Sequence, residues 1–370
     1  MSTLIQLLRT ANHARINTLR IIRLSIIHWL VLIILTIKHF VKRNNTTINK
    51  IKNVVILMHG KGIGDAIIST GFIKFLYDQN VKVYVIAEPR LSIIYQKMVP
   101  ECAYIELSKH FLIKDRTVSN ECFDVLVNPY DKDRGEVYVL RTMLRLQYKF
   151  SITFNRKTNI FYSKSITDTT SEHFSNRYIK LLDILSENNK KFIPYNYHLV
   201  IPFSAHERVS NFAKKSLRPI IVINGQSSEK YRCISDEVIS ELVLELQKTA
   251  RYMIFLFNYK KTDIQDEDYL KINYYRNLPE ILALLFHAEW LISPETSFVH
   301  LAKVANVKTL AFYHNQIVFG RYNSDSMFGP NFDNAIQISP TSNNPNGYDL
   351  SSLPYSFFRE YLVKYNILEL

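Results

Sequence analysis

Apolar and polar positions along the chain fall into stretches of different rhythm. Residues 21–37 are a nearly unbroken apolar run, interrupted by Arg23 and His28 and closed by Lys38, His39, Lys42 and Arg43. The polar stretch Asn44-Asn45-Thr46-Thr47 separates this run from the rest of the chain. Short β-branched runs then predict strands at 52–58, 82–87, 123–127 and 150–154, with amphipathic helices at 64–78, 90–98 and 134–147 between them. A second series begins at Pro219 and predicts strands at 219–225, 252–257, 290–293 and 309–313. Strands apolar on both faces that alternate with helices belong in parallel sheets covered on both sides. The expected fold is therefore α/β: two doubly wound, Rossmann-like domains facing a cleft, preceded by a hydrophobic and basic N-terminal helix. The expected boundaries are 1–47 for that helix and its linker, 48–205 and 206–350 for the two domains, and 351–370 for a last helix returning toward the first domain.

The N-terminal run changes the picture of the whole chain. Its uninterrupted part is shorter than the roughly 20 residues a spanning helix needs. No small-residue cleavage site comes after it, and positive charge on both flanks gives no spanning orientation. The pattern predicts a helix lying on, or partly in, the cytoplasmic face of a membrane, with an accessory helix packed on the body as the alternative. The net charge of +13 first suggests a nucleic-acid partner. Its distribution argues otherwise: ten Lys or Arg, from Arg9 to Lys61, precede Asp65, the first acidic residue. A basic end beside an apolar run points to anionic lipid, and no nucleic acid is expected. Cys102, Cys122 and Cys233 show no paired spacing, which fits a reduced cytoplasmic setting. A chain of 370 residues, 47% of them hydrophobic, is long enough to bury two cores.

Open parallel sheets bind ligands beyond the carboxyl ends of their strands, so the loops there carry the chemistry. After the first strand comes Gly60-Lys61-Gly62-Ile63-Gly64-Asp65. It lacks the third glycine of a dinucleotide fingerprint and the Gly-Lys-Ser/Thr of a P-loop. Its aspartate suits a helix cap and repels phosphate, so Asp65 is either a cap or is aimed at something other than phosphate. A hydrolase elbow at Gly225-Gln226-Ser227-Ser228-Glu229 lacks its closing glycine. Asp131-x-Asp133 has metal-like spacing but sits in a charged loop and reads as a solvated turn. In the second domain, the loop Asn224 to Arg232 brings Lys230 and Arg232 to a place where a diphosphate can be neutralised. Pro294-Glu295-Thr296-Ser297 then opens a helix whose Thr296, His300 and Lys303 share a face, and a helix start can hold an anion. Glu295 there suits a neutral partner such as a sugar hydroxyl.

These three loops, in this order, resemble glycosyltransferase family 9, the ADP-heptose:lipopolysaccharide heptosyltransferases of the GT-B fold. The resemblance covers about residues 52–315 and rests on Gly62-Ile63-Gly64-Asp65, the 224–232 loop and Glu295-Thr296-Ser297-Phe298-Val299-His300-Leu301-Ala302. It implies Asp65 as catalytic base on an acceptor-side turn made by Gly62 and Gly64. It implies Arg232 or Lys230 on the donor's phosphates and Asn224, Glu295, Thr296, Ser297 and His300 around the donor. The chain departs from the family where Glu295-Thr296-Ser297 replaces Asp-Thr-Gly and Arg232-Cys233-Ile234-Ser235 replaces Lys-Arg-Trp-Pro. The implied activity is inverting heptosyl transfer from ADP-heptose to a lipid A-core acceptor, without metal or cofactor, by a protein peripheral on the inner face of the cytoplasmic membrane. The alternatives are a related transferase using another nucleotide sugar for a surface glycan, or a non-catalytic nucleotide-sugar-binding membrane protein.

Overall fold

The computed structural model describes residues 26, 29–37, 50–107, 113, 117–130, 136–154, 159–167, 172–186, 195–260, 264–314, 317–318, 322–340 and 349–369. The linker at 44–47 and the Asp131-x-Asp133 pair lie outside them. The chain forms two compact units. The first holds residues up to Gly60, Asn80–Pro89 and Tyr104–Thr167; the second holds Lys61–Gln79, Arg90–Ala103 and everything from Asp168 onward.

In chain order the elements begin with α1, helical over 29–37, then β1 (Asn53–Met58), α2 (Ile63–Asp78), β2 (Lys82–Ala87), α3 (Ser92–Lys97), β3 (Cys102–Glu106), β4 (Cys122–Asn128), α4 (Glu136–Arg145), β5 (Gln147–Thr153) and β6 (Lys164–Ser165). The first sheet runs β3-β2-β1-β4-β5-β6, with β1 paired in parallel to β2 and β4. β1 is central because Val54 to Met58 offer apolar side chains to both faces, and all five are fully buried. Strand β5 begins at Gln147, three residues before the apolar signal, because exposed Lys149 interrupts the pattern while its ammonium meets Asp124 at 2.7 Å. Val31 and Leu35 of α1 are buried in this unit's core with Val55, Leu57, Tyr84 and Phe123. No described helix is long and apolar enough to cross a membrane.

The second unit continues with α5 (Ser175–Leu185), α6 (Phe203–Ala213), β7 (Ile220–Asn224), α7 (Asp236–Thr249), β8 (Met253–Phe257), β9 (Leu270–Ile272), α8 (Leu278–Leu285), β10 (Ala288–Pro294), α9 (Ser297–Ala305) and β11 (Lys308–Phe312). A short hairpin of β12 (Ile317–Val318) and β13 (Tyr322–Asn323), then α10 (Ser324–Phe328), β14 (Ala335–Ile338) and α11 (Tyr355–Lys364), complete it. Its sheet runs β14-β11-β10-β7-β8-β9, and every pairing in it is parallel. Both sheets thus repeat one order, with the first strand of each series at the centre and the connection reversing direction beside it. Such reversal points are where open α/β sheets place ligands.

The last helix does not return to the first unit, as the sequence suggests. Phe358 and Leu362 of α11, with Ile367 and Leu368 after it, are buried in the second unit's core with Leu242, Ile292 and Phe312. Tilted and edge-on aromatic packing explains the choice: Phe312 lies 4.8 Å from Phe358 and is ringed by Phe357 and Tyr361.

Candidate functional site

The glycine turn delivers Asp65 to the third position of α2. Its Oδ2 accepts a hydrogen bond from the Gly62 backbone amide at 2.9 Å, so the carboxylate caps its own helix, as an acid at this end should. Asp65 remains half-exposed. The glycines have separate causes. Gly60 takes a left-handed φ of +65° and its amide donates to Glu88, whereas Gly62 has an ordinary φ of −77°. Gly64 leaves room: a Cβ there would stand 2.9 Å from His300 Cδ2 and 3.9 Å from Ser297 Cα. The start of α2 and the start of α9 therefore touch at Gly64, which brings Asp65's turn beside two of the predicted donor residues.

The start of α9 is built around Thr296, whose Oγ1 accepts from the Phe298 amide at 3.2 Å. Asn224, at the end of β7, is fully buried and donates to Ser293 Oγ at 3.2 Å and Thr296 Oγ1 at 3.3 Å. Its own carbonyl accepts from Asn258 at 2.7 Å. Asn224 thus ties the 224–232 loop to the α9 start across the reversal point between β7 and β10. The structure brings these residues together as predicted, with Asn224 as the tie beneath the surface.

Glu295 and Arg232 are also joined. Arg232 Nη1 donates to Glu295 Oε1 at 3.0 Å, and Nη2 donates to Ser228 Oγ at 2.6 Å. Glu295 Oε2 faces His314 Nε2 at 3.4 Å, and both residues are buried. Sequence reading gives Glu295 a sugar hydroxyl as partner; the structure gives its two oxygens to Arg232 and His314. Lys230, on the same loop, is exposed. His314 was missed from the sequence, although the first polar residue after an apolar strand, here Tyr313-His314 after β11, is the kind of position the strand-end rule selects.

His300 is buried against Gly64, with the Tyr197 ring edge-on at 6.0 Å. Burial, then the neighbouring His173 and Lys303, push its pKa down to about 3, so the ring is neutral at physiological pH. Burial also lowers Lys303 to about 8; its Nζ donates to Asn331 O at 2.8 Å and lies 4.5 Å from the centre of the Tyr197 ring. The segment that carries Tyr197 also grips α2. The Tyr195 hydroxyl donates to Ile68 O at 2.7 Å and accepts from the Phe72 amide at 3.0 Å, standing in the helix where one backbone bond would be.

No family model matches the chain. A curated relative, "Putative lipopolysaccharide heptosyltransferase 4" of Escherichia coli (strain K12), is 24% identical over 311 residues, which span 79% of this chain and 83% of the relative. Among solved structures, the glycosyl transferase family 9 protein from Veillonella parvula DSM 2008 superposes with a TM-score of 0.63 at 13% identity, covering 84% of this chain and 95% of its own. The E. coli ADP-heptose lps heptosyltransferase II does so with a TM-score of 0.63 at 14% identity, covering 85% and 98%. The relative, the shared fold and the three loops in family order agree: this chain is a glycosyltransferase that resembles glycosyltransferase family 9.

Proposed function

We propose that the chain transfers heptose from ADP-heptose to a lipopolysaccharide or lipooligosaccharide core acceptor, by an inverting, metal-independent displacement at the inner face of the cytoplasmic membrane. The observation that carries this reading is the contact of Gly64 with His300 and Ser297, because it gathers the only acid of the glycine turn and the α9 start into one place. The names of the relative and of the solved heptosyltransferase support the sugar, the donor nucleotide and the acceptor class.

In this mechanism Asp65 takes the proton of an acceptor hydroxyl as that oxygen attacks the anomeric carbon. The new glycosidic bond forms on the face opposite the diphosphate, the old C–O bond breaks, and ADP leaves with its electron pair. Lys230, Arg232 and the start of α9 meet the charge that develops on the leaving diphosphate, the part a metal ion plays elsewhere. His300, held neutral by burial, adds no charge there; it sets the spacing between the two helix starts. Arg232 is drawn from Glu295 toward the diphosphate, and Glu295 then turns to the sugar.

A second reading, transfer of another nucleotide sugar to a surface glycan, is favoured by one observation. Glu295 is longer than the family's aspartate and already occupied by Arg232 and His314. Assaying a panel of nucleotide sugars separates the two, and mass spectrometry of the lipopolysaccharide core from cells lacking the protein identifies the missing sugar. Asp65→Asn should bind ADP as the unsubstituted protein does and lose about two to four orders of magnitude in turnover. Near-normal turnover would remove Asp65 as base. Nucleotide binding without transfer in the unsubstituted protein, to any acceptor, would leave a binding protein instead.

A further inference from the structure

Helix α1 has a polarity that a water-facing helix does not. On a 3.6-residue repeat Val31 and Leu35 form one edge, and that edge is buried in the first unit's core. The opposite side is formed by Ile26, Trp29, Leu30, Ile33, Ile34 and Ile37, each between 51% and 66% exposed. Thr36 is the only polar residue among the described ones here, and its hydroxyl is turned back onto Leu32 O at 2.8 Å. A solvated surface helix turns its apolar stripe inward and a polar one outward; this one is apolar on both sides. Six large apolar side chains on one outward face mark a surface for a partner.

The surrounding charge selects that partner. Ten Lys and Arg and no Asp or Glu precede Asp65, and seven of the ten lie within residues 1–47. We propose that this face of α1 lies in the headgroup and outer acyl region of a bilayer rich in anionic phospholipid. Val31 and Leu35 fix the helix to the first unit, so lipid is met by a docked helix and not by a free tether. Trp29 supplies the amphipathic ring suited to that depth, and the basic residues supply the attraction to the surface. The proposal rests on the transferase reading for its purpose, holding the protein at a lipid-borne acceptor, while the binding itself is independent of catalysis.

The chain carries its own reporter. Its two tryptophans are Trp29, 66% exposed, and Trp290, 7% exposed, so a change in fluorescence on adding lipid reads Trp29. The full-length protein, titrated with phosphatidylcholine vesicles containing phosphatidylglycerol, should show blue-shifted emission and quenching by brominated acyl chains. Binding should fall about tenfold or more when the anionic lipid is omitted. Ile33→Glu and Ile37→Glu, both outward, should leave the unfolding midpoint unchanged and each weaken vesicle binding about tenfold or more. Unshifted Trp29 emission, or equal binding to uncharged vesicles, overturns the proposal. So does a dimer in lipid-free buffer that Ile33→Glu disperses, since the face then belongs to a second copy. Failure of the two readings is distinguishable: vesicle binding with no sugar transfer removes the transferase mechanism alone, and transfer to a lipid acceptor with no vesicle binding removes this surface alone.

Discussion

Gly62 and Gly64 look alike in the sequence, as two small residues of one tight turn, yet they answer to different neighbours. Spacing shows where the chain can bend and not what comes close to it; the ring of His300, more than two hundred positions away, is what Gly64 accommodates. Gly64→Ala should lower stability by about 1–3 kcal/mol, because α2 or His300 must shift. Gly62→Ala, whose Cβ would meet Asp65 Oδ2 at an ordinary 3.5 Å, should lower it by at most about 1 kcal/mol. Urea unfolding of the two variants checks this, and equal losses would contradict it. At Arg232 the chemistry of the fork is decisive. Arg232→Lys keeps the charge but gives up the planar fork that holds Glu295 and Ser228 at rest and would grip two oxygens of the leaving diphosphate, so kcat should fall about tenfold or more. Lys230→Ala should act mainly on the donor KM; a KM effect confined to Arg232 variants would assign the diphosphate to Arg232 alone. The sequence puts both cations on one loop. It is silent on the bond from Arg232 to Glu295, because the two stand 63 positions apart in the chain.

At the scale of elements, the strands and helices were legible wherever an apolar run is clean. β2 falls where predicted, and β1, α2 and β7 begin or end within a residue or two of the pattern, whereas Pro294, expected near the start of α9, ends β10, and α9 begins at Ser297 behind the Thr296 cap. What escaped was whatever a polar segment does to an element from outside. Tyr195-Asn196-Tyr197-His198 has no periodicity of its own, yet it lies across α2 at four points. Tyr195 bridges Ile68 and Phe72, the Asn196 carbonyl sits where a Cβ on Gly71 would stand 2.3 Å away, and the His198 amide bonds Thr70 Oγ1 at 2.9 Å. Tyr197 closes on His300. This segment therefore sets the position of α2 and, through it, of Asp65. Tyr195→Phe should cost about 1–3 kcal/mol, since the hydroxyl satisfies a buried backbone carbonyl and a backbone amide of the same helix at once. Asp65 sits one turn before Ile68 on the same helix, so turnover should fall more than nucleotide binding. Hydrogen exchange at the Phe72 amide, faster in the variant than in the unsubstituted protein, is the direct measurement; unchanged protection there would show that the hydroxyl does not hold the helix.

Over the whole molecule, stability should depend on pH through histidines that folding keeps neutral. His300 and His173 are both lowered from 6.5, to about 3 and about 4, with burial the first cause in each case. His173 is held by Ser175 Oγ at 2.7 Å and by Gly329 O at 3.1 Å, so its ring is fixed as well as buried. Between the folded and unfolded values the unfolded chain binds more protons than the folded one, and stability must fall as pH falls. The loss starts near pH 6.5 and proceeds at about 1.4 kcal/mol per pH unit for each histidine until the folded value is reached. Lys303 acts with the same sign at the other end: lowered from 10.5 to about 8 by burial, it adds stability as pH rises through that interval. The buried tyrosines oppose it above pH 10, because Tyr197 and Tyr195 are raised by burial and their protonated forms are favoured by folding. The urea midpoint should therefore drop steeply from pH 6.5 to 4.5, where carboxylates of ordinary pKa remain largely ionised. His300→Asn should reduce that slope by about a third to a half, whatever it does to stability at neutral pH, since His287 is also lowered by burial and one of three linked protons is gone. A slope unchanged by His300→Asn would mean that His300 is protonated in the folded protein, and the contact between the two helix starts at Gly64 would then carry a charge beside Asp65.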